Sequence, residues 1–308
     1  MQILAIPKRE RIYAIAFSPS GRDLVAACGD GKIRVWDTTK GDIRHIGSLG
    51  EDSFVLRLGY LDDHTIVVDG RQWDLAANEW HAAIPGMPVV RQLALFPDGR
   101  SLVEVDRVQL TNTESGLAVW RSGPESLDMA ELSTGMAFGP DGQWLATSHI
   151  VPVGEKQRSL GPQEGHYTSN VYDYVVRIRE LPSCRTVKTI SGWGQHVRYL
   201  TFSPDGTTLA GTAGPRLRIW DLLNDRELAL HKRGTKHFQG LAFTIDGRHL
   251  LTVSNDSSVR MWDARSWNEA STFEWDIGRL LNIAMSPDGL RAAAGSDKGQ
   301  IVIWDLDV

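Results

Sequence analysis

Three observations predict an all-β fold, a seven-bladed β-propeller of four-stranded antiparallel blades. A turn motif returns at a nearly constant interval, short alternating apolar runs flank it, and a Trp-Asp pair closes the run that follows. The turn reads Ser18-Pro19-Ser20-Gly21, Phe96-Pro97-Asp98-Gly99, Gly139-Pro140-Asp141-Gly142, Ser203-Pro204-Asp205-Gly206, Thr244-Ile245-Asp246-Gly247 and Ser286-Pro287-Asp288-Gly289. A worn copy, Leu61-Asp62-Asp63, falls between the first two. Counted at the last residue, successive copies lie 42, 36, 43, 64, 41 and 42 residues apart. The pattern is seven copies with one long gap.

Each turn joins two strands. Before it stand runs such as Ala14-Ile15-Ala16-Phe17 and Tyr199-Leu200-Thr201-Phe202, and after it runs such as Leu24-Val25-Ala26-Ala27 and Leu250-Leu251-Thr252-Val253. Proline sets φ and Asp-Gly supplies the reversal, which is hairpin chemistry. A third strand ends in Trp36-Asp37, Trp73-Asp74, Trp220-Asp221, Trp262-Asp263 and Trp304-Asp305. A more polar fourth strand follows, as in Arg226 to His231 or Glu269 to Trp275. Four strands in a period of about 40 to 45 residues is the size of one blade.

The segments FSPSGRDLVAACGDGKIRVWD (17–37), FSPDGTTLAGTAGPRLRIWD (202–221), FTIDGRHLLTVSNDSSVRMWD (243–263) and MSPDGLRAAAGSDKGQIVIWD (285–305) resemble WD40 repeats. The resemblance covers nearly the whole chain and implies a non-enzymatic scaffold for protein–protein interaction. Departures accompany it. The Trp-Asp position reads Leu110-Thr111 in blade 3 and Arg179-Glu180 in blade 4, and the family's Gly-His pair is mostly absent, with Gly192-Trp193 in its place in blade 5. The family's buried turn aspartate matches Asp30 and Asp256, with Asp297 one residue out of step, and blade 6 keeps Ser254 beside Asp256 and Trp262. An incomplete hydrogen-bond network of this kind lowers the expected stability more than it alters the fold.

A twisted sheet has two apolar faces, and radial packing of blades buries both. The last repeat stops at Trp304-Asp305-Leu306-Asp307-Val308 after its third strand, while Gln2-Ile3-Leu4-Ala5-Ile6 reads as a strand without a local partner. The N-terminal strand is therefore expected to complete the last blade, within a single domain spanning 1–308.

The 64-residue interval marks an insertion between the second and third strands of blade 4, at about 150–172. Leu145 to Val153 and Asn170 to Arg179 are placed to lengthen those strands, with Gly154 to Thr168 as a polar tip. Loops at this position leave the ring on the face that carries the links between blades, and recognition residues favour loops on a rigid scaffold.

The residue four before each first-strand anchor is Tyr13, Phe54, Arg91, Thr134, Arg198, Gln239 and Leu281, and two positions earlier lie Arg11, His196, His237 and Arg279. By the geometry of the fold these surround the channel mouth. Arg11, Arg91, Arg198 and Arg279 would form a positive rim, with Gln239 among them and Tyr13 and Phe54 as aromatic anchors. Lys156, Arg158 and Tyr167 of the insertion would flank it. The expected partner is a protein or peptide with an acidic or mixed segment; the competing expectation is that these arginines pair with blade carboxylates and only close the ring.

Composition narrows the classes. At 42% hydrophobic and 23% charged the chain is globular rather than disordered. A net charge of −5 with no basic run argues against nucleic acid. Two cysteines make no disulfide framework, no leader-like N-terminus precedes the repeats, and no apolar stretch approaches a membrane span. A cytoplasmic protein is expected, monomeric itself within a larger complex. No phosphate loop, dinucleotide fingerprint, nucleophile elbow or His-Glu-x-x-His is present, and the nine histidines lack metal-ligand spacing. Cys184, after Pro182-Ser183 in a turn, is expected to be an ordinary thiol. No cofactor, metal or catalysis is expected. The alternative, a ligand-binding or hydrolytic propeller, would need convergent carboxylates, histidines or a metal at the mouth.

Overall fold

The computed structural model describes residues 1–7, 10–49, 58–68, 71–82, 93–95, 101–104, 108–112, 118–121, 132–161, 165–181, 183 and 185–306. Within 82–134 and 157–168 the description is of the backbone. Every regular element among the described residues is a strand.

After β1 (Gln2–Ala5), the first sheet holds β2 (Ile12–Phe17), β3 (Asp23–Cys28), β4 (Lys32–Asp37) and β5 (Ile43–Ser48). The second holds β6 (Leu58–Tyr60), β7 (Thr65–Val68), β8 (Arg71–Asp74) and β9 (Glu79–Ala82). The third holds β10 (Leu93–Leu95), β11 (Ser101–Glu104), β12 (Val108–Asn112) and β13 (Ala118–Arg121). The fourth holds β14 (Leu132–Phe138), β15 (Trp144–Gly161), β16 (Gly165–Glu180) and β17 (Arg185–Ile190). The fifth holds β18 (Val197–Phe202), β19 (Thr208–Ala213), β20 (Arg216–Asp221) and β21 (Arg226–Lys232). The sixth holds β22 (Phe238–Phe243), β23 (His249–Ser254), β24 (Ser258–Asp263) and β25 (Glu269–Glu274). The seventh holds β26 (Leu280–Met285), β27 (Arg291–Ser296) and β28 (Gln300–Asp305), with β1 antiparallel on its outer edge.

First strands of successive sheets are neighbours: β26 with β2, β2 with β6, β10 with β14, β14 with β18, β18 with β22 and β22 with β26. The sheets stand as blades around these inner strands. Antiparallel alternation then defines two faces. One, the turn face, carries the first-to-second-strand turns; the other, the link face, carries the second-to-third-strand turns and the links between sheets.

Two expectations need correcting. The third sheet is not wholly antiparallel: β13 runs parallel to β11, and β12, which holds Leu110-Thr111, lies at the edge instead of third in order. Ala118-Val119-Trp120 is more apolar than Gln109 to Asn112, and the more apolar segment takes the place flanked on both sides. The insertion forms the expected long hairpin, but its strands run on past Val153 and Asn170 into the expected tip. The β15–β16 ladder runs from Trp144↔Glu180 to Gly161↔Gly165, so most of Gly154 to Thr168 is paired strand.

The turn motif works as its chemistry requires. Gly21, Gly206, Gly247 and Gly289 take φ of 70°, 71°, 69° and 74°. Each donates its N–H to the carbonyl three residues back, at 2.8 to 2.9 Å. The core lies between sheets. Trp36 packs among Ile12, Leu4 and Ile301, Trp73 against β3 and β4 residues, Trp262 against Leu217 and Ile219, and Trp304 against Leu251 and Val259. Each tryptophan thus seals its own sheet onto the preceding one.

Trp220 departs from this pattern. It is only half-buried, and its Nε1 donates to Asp225 at 3.2 Å. Its expected place is crowded by Trp193, which comes from the link before the fifth sheet and is buried. A Cβ on Gly211 would lie 2.6 Å from Trp193 Cη2, so only glycine leaves room. The Arg218 guanidinium fills the gap, 5.1 Å from the Trp193 ring and 4.9 Å from that of Trp220.

Candidate functional site

On the link face, each inner strand starts beside the second-to-third-strand turn of its own sheet. The carbonyl before the strand accepts an N–H from that turn: Gly29 to Arg11 at 2.7 Å, Asn255 to His237 at 3.1 Å, and Asp297 to Arg279 at 2.9 Å. The side chain at the turn position then decides what the rim residue does. Asp297 accepts from Arg279 N–H at 2.9 Å and Nε at 2.7 Å, so that arginine closes the turn. Asn255 Oδ1 accepts from the His237 N–H at 2.9 Å. Gly29 offers no side chain, and Arg11 is exposed with no ion pair among the described residues.

Arg198 on β18 is likewise exposed with no ion pair among the described residues, while Tyr13 is half-buried against the core between the first two sheets. Gln239 is half-buried between Phe238 and Gly240. Arg11 and Arg198 therefore present guanidinium groups without an ion pair among the described residues on the first and fifth sheets, with two sheets between them. Arg279, expected in the same rim, is tied to Asp297. Phe54 and Arg91 lie outside the described residues, as does Cys184.

The β15–β16 hairpin rises from this same face, since it replaces a second-to-third-strand turn. Lys156 is exposed on it; Arg158 and Tyr167 are opposite one another in the ladder, and their side chains lie outside the description. The hairpin also exposes Val153, Val171 and Tyr172, at 60%, 39% and 49%. The sequence reading passed over these three. The available signal was that strand residues beyond the length of a blade have no neighbouring sheet to cover them.

A second feature was also missed, on the turn face. A cavity of about 360 Å³ opens between the fourth and seventh sheets, lined by Phe138, Phe202, Phe243 and Met285 at the ends of their inner strands, and by turn residues including Pro204 and Ile245. The signal was in the repeat, an apolar residue at each of these four strand ends. Among the described residues, His, Cys, Asp and Glu nowhere gather in threes able to hold a metal ion.

A family model described as WD domain, G-beta repeat matches residues 5–37, 184–221, 229–263 and 275–305. These stretches run through the first, fifth, sixth and seventh sheets, each ending at its Trp-Asp pair. The chain carries WD40 repeats at these four positions. The first, second and third of these matches begin within an outer strand of one sheet or just before it and end in the third strand of the next. A WD40 repeat here is thus offset from the sheet by about one strand, which couples neighbouring blades covalently.

The WD40 chain is 28% identical to the target of rapamycin complex subunit LST8 of Bos taurus over 138 residues, 44% of this chain and 42% of that protein. It is 22% identical to the guanine nucleotide-binding protein subunit beta of Solanum tuberosum over 312 residues, 96% of this chain and 80% of that one. Against telomerase protein component 1 of Rattus norvegicus the identity is 24%, over 99% of this chain and 11% of that protein. The chain spans less than half the length of the LST8 relative it matches. The WD40 relatives from Bos taurus and Solanum tuberosum are named as subunits of larger assemblies.

Proposed function

We propose that this WD40 protein is a non-enzymatic scaffold that binds an acidic protein segment across the link face. The observation that carries this reading is the pair of exposed arginines, Arg11 and Arg198, without an ion pair among the described residues, on the face from which the β15–β16 hairpin projects. A segment lying across the mouth would meet these guanidinium groups as charge-assisted pairs. Tyr172 or Val153 on the hairpin, and Tyr13 within the mouth, supply apolar contact, and Lys156 adds charge from the side. The WD40 repeats and the subunit names of the relatives support a binding role. Within a larger complex the chain would act as one monomeric propeller, in the cytoplasm.

The test uses a fluorescent synthetic peptide rich in glutamate with a central leucine, titrated into the full chain at low and moderate salt. Arg11→Glu and Arg198→Glu are each expected to weaken binding more than about tenfold, or about 1.4 kcal/mol, with unfolding unchanged. Ser20→Ala and Asp141→Asn, on the opposite face, are expected to leave it unchanged. Equal losses from both sets would refute a link-face site.

A further inference from the structure

The repeat builds a second arrangement on the turn face that an acid-binding link face does not use. Three layers follow from the first, third and fourth residues of a four-residue stretch of the repeat, as in Phe202-Ser203-Pro204-Asp205. Innermost, Phe138, Phe202, Phe243 and Met285 line the cavity of about 360 Å³. Around them Pro204 and Ile245 stand exposed, Ile245 at 50%. Outside these lie the exposed carboxylates Asp141, Asp205, Asp246 and Asp288.

The carboxylates are oriented by the turns themselves. In every one, Oδ1 accepts the backbone N–H two residues on, from Gln143 at 2.9 Å and from Thr207, Arg248 and Leu290 at 3.0 Å. In three, the same oxygen also accepts the hydroxyl two residues back, from Ser203, Thr244 and Ser286 at 2.5 to 2.6 Å. Among the described residues the second oxygen of each takes no hydrogen bond. Burial favours the neutral form of Asp205 and Asp246, but these hydrogen bonds overcome it and hold both below the ordinary carboxylate range. For Asp288 the Ser286 hydroxyl leads in the same direction. Asp205, Asp246 and Asp288 are therefore charged at neutral pH. The one cation within these four turns is Arg248, 3.6 Å from Asp246. Arg291 also favours the charged form of Asp288, while its guanidinium donates to Gly21 O of the first sheet at 3.0 Å.

An apolar recess of side-chain size beside an arc of carboxylates selects its occupant by charge complementarity. We propose that the turn-face mouth is a docking site for a partner protein segment that carries one large apolar side chain flanked by lysine or arginine. The apolar side chain enters between Phe202, Phe243 and Met285, and the flanking cations meet the second oxygens of Asp205, Asp246 and Asp288. The two faces then hold partners of opposite charge, which suits a scaffold.

The experiment titrates the full chain with a short fluorescent peptide having a single leucine flanked by lysines. Two matched probes replace the leucine by serine or the lysines by glutamates. The lysine–leucine peptide is expected to bind, and each matched probe to bind at least about tenfold more weakly. Combining Asp205→Asn, Asp246→Asn and Asp288→Asn removes charge while keeping an oxygen for each turn. It is expected to cost about tenfold in affinity at a temperature where unfolding shows the variant still folded, and Ile245→Ser, which leaves every turn hydrogen bond in place, the same. Arg11→Glu and Arg198→Glu are expected to have no effect on this peptide. Failure of the lysine–leucine peptide to bind overturns the proposal. Equal binding of the serine probe, or losses confined to the link-face variants, does so as well.

Discussion

Leu4 stands opposite Ile301 in the antiparallel ladder that lays the first strand of the chain on the edge of its last sheet. Leu4 and Ile6 are both buried, in the same cluster as Ile12, Trp36 and Ile303, so the strand seals the seventh sheet onto the first. Deleting residues 1–6 uncovers the β28 edge and removes two buried aliphatic side chains, a loss of roughly 3–6 kcal/mol. The truncated protein is expected to unfold at lower temperature or to aggregate, read by calorimetry and light scattering. Leu4→Ala separates packing from edge exposure and is expected to cost about 2–5 kcal/mol. Unchanged unfolding in both would show that the strand is not a clasp.

The tryptophans differ in what their indoles do. Trp36, Trp262 and Trp304 are buried between sheets, and alanine at each is expected to cost about 3–5 kcal/mol in denaturant unfolding. Trp220→Ala is expected to cost clearly less, because that side chain is half-buried. Phenylalanine gives a finer comparison. Trp262 Nε1 donates to Thr252 Oγ1 at 2.9 Å, whereas Trp304 Nε1 is buried without a partner. Trp262→Phe leaves a buried hydroxyl stranded, and Trp304→Phe removes a stranded donor, so the first is expected to destabilise more. The reverse order would contradict this assignment of partners.

Gly211 is required by Trp193. Gly211→Ala puts a methyl 2.6 Å from Trp193 Cη2 and 2.8 Å from Leu200 Cδ2, with an expected cost of about 1–3 kcal/mol. In a Trp193→Ala background only Leu200 still crowds the methyl, and the same change is expected to cost less. A double-mutant cycle in urea reads the coupling, and strict additivity would show that the two residues do not compete for space.

His149 makes the fold sensitive to mild acid. It is almost fully buried, its Nε2 lies 2.8 Å from Thr147 Oγ1, and its Nδ1 has no partner among the described residues. Burial, and after it the charges of Arg177 and Arg179, push its pKa down to about 3 from 6.5. Above pH 6.5 both folded and unfolded chains hold this ring neutral. Below it the unfolded chain binds the proton and the folded chain does not, so stability falls by up to about 1.4 kcal/mol per pH unit until about pH 3. His149→Gln is expected to flatten the decline in melting temperature between pH 6 and pH 4 (about the window where this ring dominates). An unaltered slope would assign the acid sensitivity elsewhere.

The repeat, its strands and the sheet-sealing tryptophans were legible in the sequence because their causes are local. Pro, Asp and Gly set each turn within four residues, alternation sets which side of a strand is apolar, and the polar fourth strand marks the outer edge. Even the β1–β28 pairing could be inferred, from a strand left over at one end and a sheet one strand short at the other. The candidate site was legible in its position but not in its membership. Arg11 and Arg279 occupy equivalent places and read alike. One has no ion pair among the described residues and the other is held because the residues eighteen further along are Gly29 and Asp297, brought alongside by the hairpin between them. The exposure of Trp220 is set by Trp193 arriving from a link, and the order of strands in the third sheet by which segment is the more apolar. The turn-face cavity exists only where the ends of four inner strands converge. Contacts of this kind join residues distant in the chain, and a residue's own neighbours in sequence carry no record of them.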